Sequence, residues 1–178
     1  EVYERYNCNR VVFIGDVIDN HYSSYHETDA DGMGGGQELE LAIQRLQRYY
    51  HRWPDAHVTV GNHDRIIMRK AQSGGVPKEW VKDYKEVLRT PNWKFVTDVE
   101  IDDVLYIHGE AGTAKTKARS DMRSTVQGHL HTQAYTEYFV GANSRVFGCQ
   151  VGCGIDAKSY AMAYMKVGKK PAIGCAVV

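Results

Sequence analysis

The sequence predicts an α/β fold with a two-layer β-sandwich core flanked by helices, in one domain over residues 1–178. Three features predict it: short apolar runs that break off in polar loops, a long amphipathic stripe between the first two of them, and a strand-rich final third. Val11 to Ile14 is a continuous apolar run ending at Gly15-Asp16, the pattern of a buried strand that delivers its C-terminal end to a loop. The loop that follows is long and polar, with Tyr22, Ser23, Ser24, Tyr25, His26 and the glycines Gly32, Gly34, Gly35 and Gly36. From Gln37, the positions Leu39, Ile43, Leu46, Tyr50 and Trp53 recur at helical spacing and predict a helix that ends before Pro54. His57 to Val60 reads as a second strand, which runs into Gly61-Asn62-His63-Asp64. Helical spacing returns at Trp80, Val81, Tyr84, Val87 and Leu88, whereas Val99 to Ile107 around Asp102-Asp103 predicts a hairpin. Further strands are expected over 138–140, 146–151 and 162–167, with a turn at 168–171.

Composition narrows the partners little. Lys plus Arg and Asp plus Glu are balanced at 22 each, so no overall field favours nucleic acid or an anionic membrane. The longest apolar runs are strand-sized, far below the ~20 residues of a membrane helix, and predict no membrane partner. Cys8, Cys149, Cys153 and Cys175 form no C-x-x-C pair, which fits a reduced, cytoplasmic setting with Cys149 and Cys153 as buried strand residues.

Four predicted strand ends carry the chemistry: Gly15-Asp16-Val17-Ile18-Asp19, Gly61-Asn62-His63-Asp64, Ile107-His108-Gly109 and Gly128-His129-Leu130-His131. Carboxylate, amide oxygen and imidazole are donors suited to Mn²⁺, Fe, Zn²⁺, Ni²⁺ or Mg²⁺, and no thiolate set points to structural zinc. Glycine beside each donor allows the close backbone approach that a loop around an ion needs.

In this order the four segments resemble the signature of the calcineurin-like metallophosphoesterase family, over residues 15 to 131. The resemblance implies two divalent cations, Mn first, with Asp16 bridging them, Asn62, His108 and His129 completing one, and His131 binding the other. It implies phosphate ester hydrolysis, of a monoester or diester, by a metal-bridging hydroxide. His63 would assist the leaving oxygen and Asp19 would orient His63. A carboxylate on one ring nitrogen fixes the tautomer and favours the imidazolium that such a role requires. The family opens with Asp-x-His, and none precedes Gly15 here. Either the sequence starts after the family's first strand, the reading that a start at Glu1 favours, or one cation is held poorly.

Other features carry two readings each. His21 and His26 overhang the predicted site as substrate contacts or as solvated loop residues. Asp29-Ala30-Asp31-Gly32 does not make a calcium loop, because its glycine falls too early and no Glu holds the twelfth position. Lys115 to Arg123 is a solvated face or a grip on nucleic-acid phosphates. Asn20-His21 and Val60 stand where protein phosphatases of this superfamily carry Arg-Gly and Arg, which disfavours a phosphoprotein and leaves nucleotides, cyclic diesters or nucleic-acid ends as substrates. The rival functions are a catalytically impaired scaffold for protein binding and a nuclease module.

Overall fold

A computed structural model describes residues 1–25, 30–156 and 170–178. The chain opens with α1 (Val2–Arg5), β1 (Val12–Phe13), a 3-10 turn at His21–Ser23, α2 (Gly35–Arg52), β2 (His57–Thr59) and α3 (Ile66–Ser73). A second 3-10 turn at Lys78–Trp80 leads to α4 (Tyr84–Val87) and β3 (Lys94–Val96). Then come β4 (Asp98–Ile101), β5 (Val104–Ile107), α5 (Ala114–Asp121), β6 (Ser124–Gln127), β7 (Ala134–Val140) and β8 (Arg145–Val151).

These strands form two sheets, as the α/β reading requires. One is the parallel set β1-β2-β3, and the other has the order β4-β5-β6-β8-β7. In the second sheet β5, β6 and β8 are parallel, while β4 and β7 pair antiparallel at its two edges. The α2 stripe does what its spacing predicts. Ile43 and Leu46 bury against Val58, Leu88 and Trp93, with Phe13 and Phe95 at the margin. Trp93 is 2% exposed, so truncating it to Ala should cost ~3–5 kcal/mol. A second apolar cluster joins Val104, Val126 and Cys149 to Ile14, so the residue just after β1 packs against the five-stranded sheet. That contact sets the C-terminal end of β1 beside those of β5 and β6.

Two expectations need correction. The pattern from Trp80 to Leu88 is not one helix: Val81 is extended at φ −107°, ψ 128° and Asp83 at φ −66°, ψ 150°, so only Tyr84–Val87 coils. Trp80 consequently points to solvent, 82% exposed. The last strands also begin earlier than their apolar residues suggest, at Ala134 and Arg145. The hairpin is as expected, with Asp102 and Asp103 both at positive φ (52° and 62°), the geometry of a two-residue turn between twisted strands. The strand expected over 162–167 and the start of the turn at 168–171 lie outside the described residues, as does His26. Among the described residues no helix is long and apolar enough to cross a membrane.

Candidate metal centre

The first loop turns sharply at Gly15 (φ 74°) and Asp16 (φ 49°). Gly15 must be glycine twice over: its φ is left-handed, and a Cβ there would collide with the Thr59 carbonyl and the His108 ring. Asp16 is kept in this conformation by Asp64, whose Oδ2 accepts the Asp16 N–H (2.9 Å) and the Gly61 N–H (2.8 Å) and whose Oδ1 accepts the Ile18 N–H (3.3 Å). In return Asp16 Oδ1 accepts the His63 N–H at 2.9 Å, which locks the two loops together. Burial pushes the Asp64 carboxyl up to about 6, against the three N–H groups that favour its charge.

The opposite wall comes from the second sheet. His108, 3% exposed, follows β5; its Nδ1–H donates to the Ile14 carbonyl at 2.8 Å, and this fixes Nε2 as the free ring nitrogen. His129 follows β6 in a three-residue turn closed by the Leu130 N–H on the Gly128 carbonyl (2.7 Å), with φ 66°. Such a turn is strained for a side-chain-bearing residue. Two buried glutamines prop it. Gln150 Nε2 donates to the Gln127 carbonyl (3.2 Å) and to that of Gly128, while its Oε1 accepts the Ala114 N–H at 3.1 Å. Gln127 Nε2 reaches the Gly112 carbonyl at 3.2 Å, in the loop after His108.

Four donor atoms therefore meet across the seam between the sheets. His108 Nε2 lies 3.1 Å from Asp16 Oδ2, 3.1 Å from Asn62 Oδ1 and 3.2 Å from His129 Nδ1, and the last two are 2.9 Å apart. The ligand atoms of Asp16, His108 and His129 all fall within 4.8 Å of one another. With His108 Nδ1–H spent on Ile14, this is a knot of lone pairs facing lone pairs, and a shared proton could serve only one contact in it. A cation satisfies them all, and the mixture of carboxylate, amide and imidazole suits the first-row divalent ions and Mg²⁺. With no cation bound, burial raises Asp16, but a proton on His108 Nε2 and the charge of His63 outweigh it and hold the carboxyl below its usual value; a cation would take that proton's place. Burial together with the neighbouring His108 lowers His129 and keeps its ring neutral, the state in which imidazole binds a metal.

The remaining expected residues divide. His63 stands apart from the knot: its Nδ1 is 2.9 Å from Asp19 Oδ1 and 2.8 Å from the Asp19 carbonyl. The Asp19 hydrogen bond outweighs burial and raises the His63 imidazolium to about 9. His131 stands outside the three-residue group, half-buried and close enough to feel Asp16, His63 and His108; burial lowers it. His21 does not overhang the site: it is 4% exposed, and its N–H is held by Glu38 Oε1 at 2.6 Å. Cys149 lies in the apolar cluster of the second sheet, the buried strand position expected of it. Cys153 Sγ sits 3.6 Å from the His131 carbonyl.

Asp64, Gln127 and Gln150 are the residues that sequence reasoning missed. Asp64 had a signal, its place in the Gly-Asn-His-Asp tetrapeptide. The glutamines had none, since a polar residue in a strand ordinarily marks the solvent face.

Residues 1–138 match the family model described as calcineurin-like phosphoesterase. Neither a curated protein nor a solved structure matches the chain. The match spans more than three quarters of the sequence and includes every member of the knot, and on that ground the chain belongs to the calcineurin-like phosphoesterase family.

Proposed function

We propose that this protein hydrolyses a phosphate monoester or diester with two divalent cations, Mn²⁺ foremost, and that His63 supplies the proton to the leaving oxygen. One observation supports this above the others: the unshared electron pairs of Asp16, Asn62, His108 and His129 converge on one point, beside an imidazole that is charged and outside the ligand set. Asp16, Asn62, His108 and His129 would hold one ion, and Asp16 with His131 would face the other. Bound divalent ions supply positive charge against the phosphoryl oxygens and a water acidified toward neutrality.

The chain's own groups account for the rest. Asp19 accepts from His63 Nδ1 and so leaves Nε2–H as the acidic position of the ring. Asn20, at φ 51°, donates from Nδ2 to the His63 carbonyl at 2.9 Å and pins the backbone that carries the ring. With its pKa near 9, the imidazolium persists at neutral pH and can meet charge as it develops on a departing alkoxide. The phosphate ester could be a nucleotide or a nucleic-acid end, and we place the protein in the cytoplasm. The experiment is hydrolysis of bis(p-nitrophenyl) phosphate by the full chain with Mn²⁺, stopped by chelator and restored by added Mn²⁺. Chelator-resistant turnover would refute the reading.

A further inference from the structure

Two segments leave the His63–Asp19 pair and meet again a short way off. One runs from Asp19 through Asn20 and the 3-10 turn to Tyr25; the other passes from His63 into α3, whose first residue Ile66 donates its N–H to the His63 carbonyl at 3.2 Å. Where they meet, Arg69 Cζ lies 5.5 Å and Lys70 Nζ 5.1 Å from the centroid of the Tyr25 ring. Arg69 and Lys70 lie on α3, the helix that follows the His63 loop. Tyr25 is 61% exposed, and the base of its loop is fixed by Glu38, which accepts the N–H groups of His21 and Tyr22 at 2.6 and 2.9 Å.

Charge sets this cluster apart from the other basic stretch of the molecule. On α5 and just beyond it the cations are largely consumed: Lys115 pairs with Glu137 (3.6 Å), Lys117 with Asp121 (2.8 Å) and Arg123 with Glu100. Arg69 and Lys70 form no ion pair among the described residues and contact the Tyr25 ring instead. Two cations packed against an exposed tyrosine ring offer the pairing that binds nucleotides irrespective of base, with phosphate charge met by the cations and the base stacked on the ring.

We propose that Tyr25, Arg69 and Lys70 form a docking surface for a nucleotide substrate, with the base on Tyr25 and the positive charge of Arg69 and Lys70 attracting the phosphate toward the site. This rests on the phosphoesterase reading above for the reacting phosphate and adds to it the substrate class.

Two measurements on the full chain with Mn²⁺ separate the claims. In calorimetric titration, adenosine 5′-monophosphate should bind at least tenfold more tightly than ribose 5-phosphate, which lacks the base. Tyr25→Ala should erase that difference and Tyr25→Phe should keep it, while Arg69→Ala/Lys70→Ala should weaken both ligands. In kinetics, the p-nitrophenyl ester of adenosine 5′-monophosphate should be preferred over methyl p-nitrophenyl phosphate, which has the same leaving group, and Tyr25→Ala should bring the ratio toward one. Equal binding of the two ligands by the wild type, or a preference that survives Tyr25→Ala, overturns the surface. Base-dependent binding that requires Tyr25, in a protein that cleaves neither ester, upholds the surface and refutes the hydrolysis.

Discussion

The two walls of the candidate metal centre are held by opposite kinds of hydrogen bond. On the three-stranded side the carboxylates are fixed by donors: three backbone N–H groups close on Asp64, and the His63 N–H closes on Asp16. On the five-stranded side the imidazoles are fixed by acceptors and neutral amides, with Ile14 O taking the His108 proton and Gln127 and Gln150 bracing the loops on either side. The first wall depends on charge and the second on shape. An anion gathers N–H groups from separate loops at once, whereas a planar amide offers two donors and an acceptor at fixed angles. The walls should therefore fail differently.

Asp16 joins them, through Oδ1 to the His63 N–H and Oδ2 to His108, so its loss should have the largest effect. Asp16→Ala should reduce cation-supported hydrolysis at least about a thousandfold, beyond the ~10²–10³ that loss of one preorganised electrostatic donor costs. Calorimetry should find no tight cation site in that variant. On the charge side, Asp64→Ala leaves three N–H groups without their acceptor and should cost at least ~3 kcal/mol in urea unfolding, given ~1–3 kcal/mol per orphaned group. Asp64→Asn, which keeps the shape without the charge, should recover less than half of that. On the shape side, Gln150→Leu fits the volume but abandons Ala114, Gln127 and Gly128. It should cost ~2–3 kcal/mol and weaken cation binding ~10–100-fold, the usual penalty for removing a ligand's support. Full recovery of stability in Asp64→Asn, which keeps the shape and drops the charge, would erase the distinction.

The smallest effect concerns His63 alone. Its folded pKa lies above the unfolded value of 6.5, so the stabilisation from Asp19 is complete below about 6.5 and is lost as pH rises through about 9. Asp19→Asn should move the ring's titration, read by NMR in cation-free protein, from near 9 toward 6.5. It should also flatten the decline in stability over that interval. A ring that titrates near 6.5 in the wild type would show that Asp19 does not hold it.

The parts of this arrangement that could be read from the sequence are those where apolar runs stop at glycine and a donor residue. Val11 to Asp16 and His57 to Asp64 announce both the strand and its cargo. Strand β6 was not legible, because its buried positions include Thr125 and Gln127, which no hydrophobic pattern registers. Their burial is tolerated because partners such as Gly112 O lie on other segments of the chain. Asp64 was visible as a motif residue, but its function depends on N–H groups 46 and 48 residues away. Trp80 misled for the converse reason: apolar residues at helical spacing formed no continuous helix, because the backbone at Val81 and Asp83 is extended.

The division of labour between ligands and proton donor is tested most directly by His63→Ala, with Mn²⁺ content and phosphodiester turnover measured on the same preparation. Turnover should fall ~10²–10⁴-fold, the range for a lost general acid, while bound Mn²⁺ stays within error of the wild type. If Mn²⁺ and turnover disappear together, His63 belongs to the metal site and the separation drawn between it and the Asp16, Asn62, His108 and His129 knot is wrong.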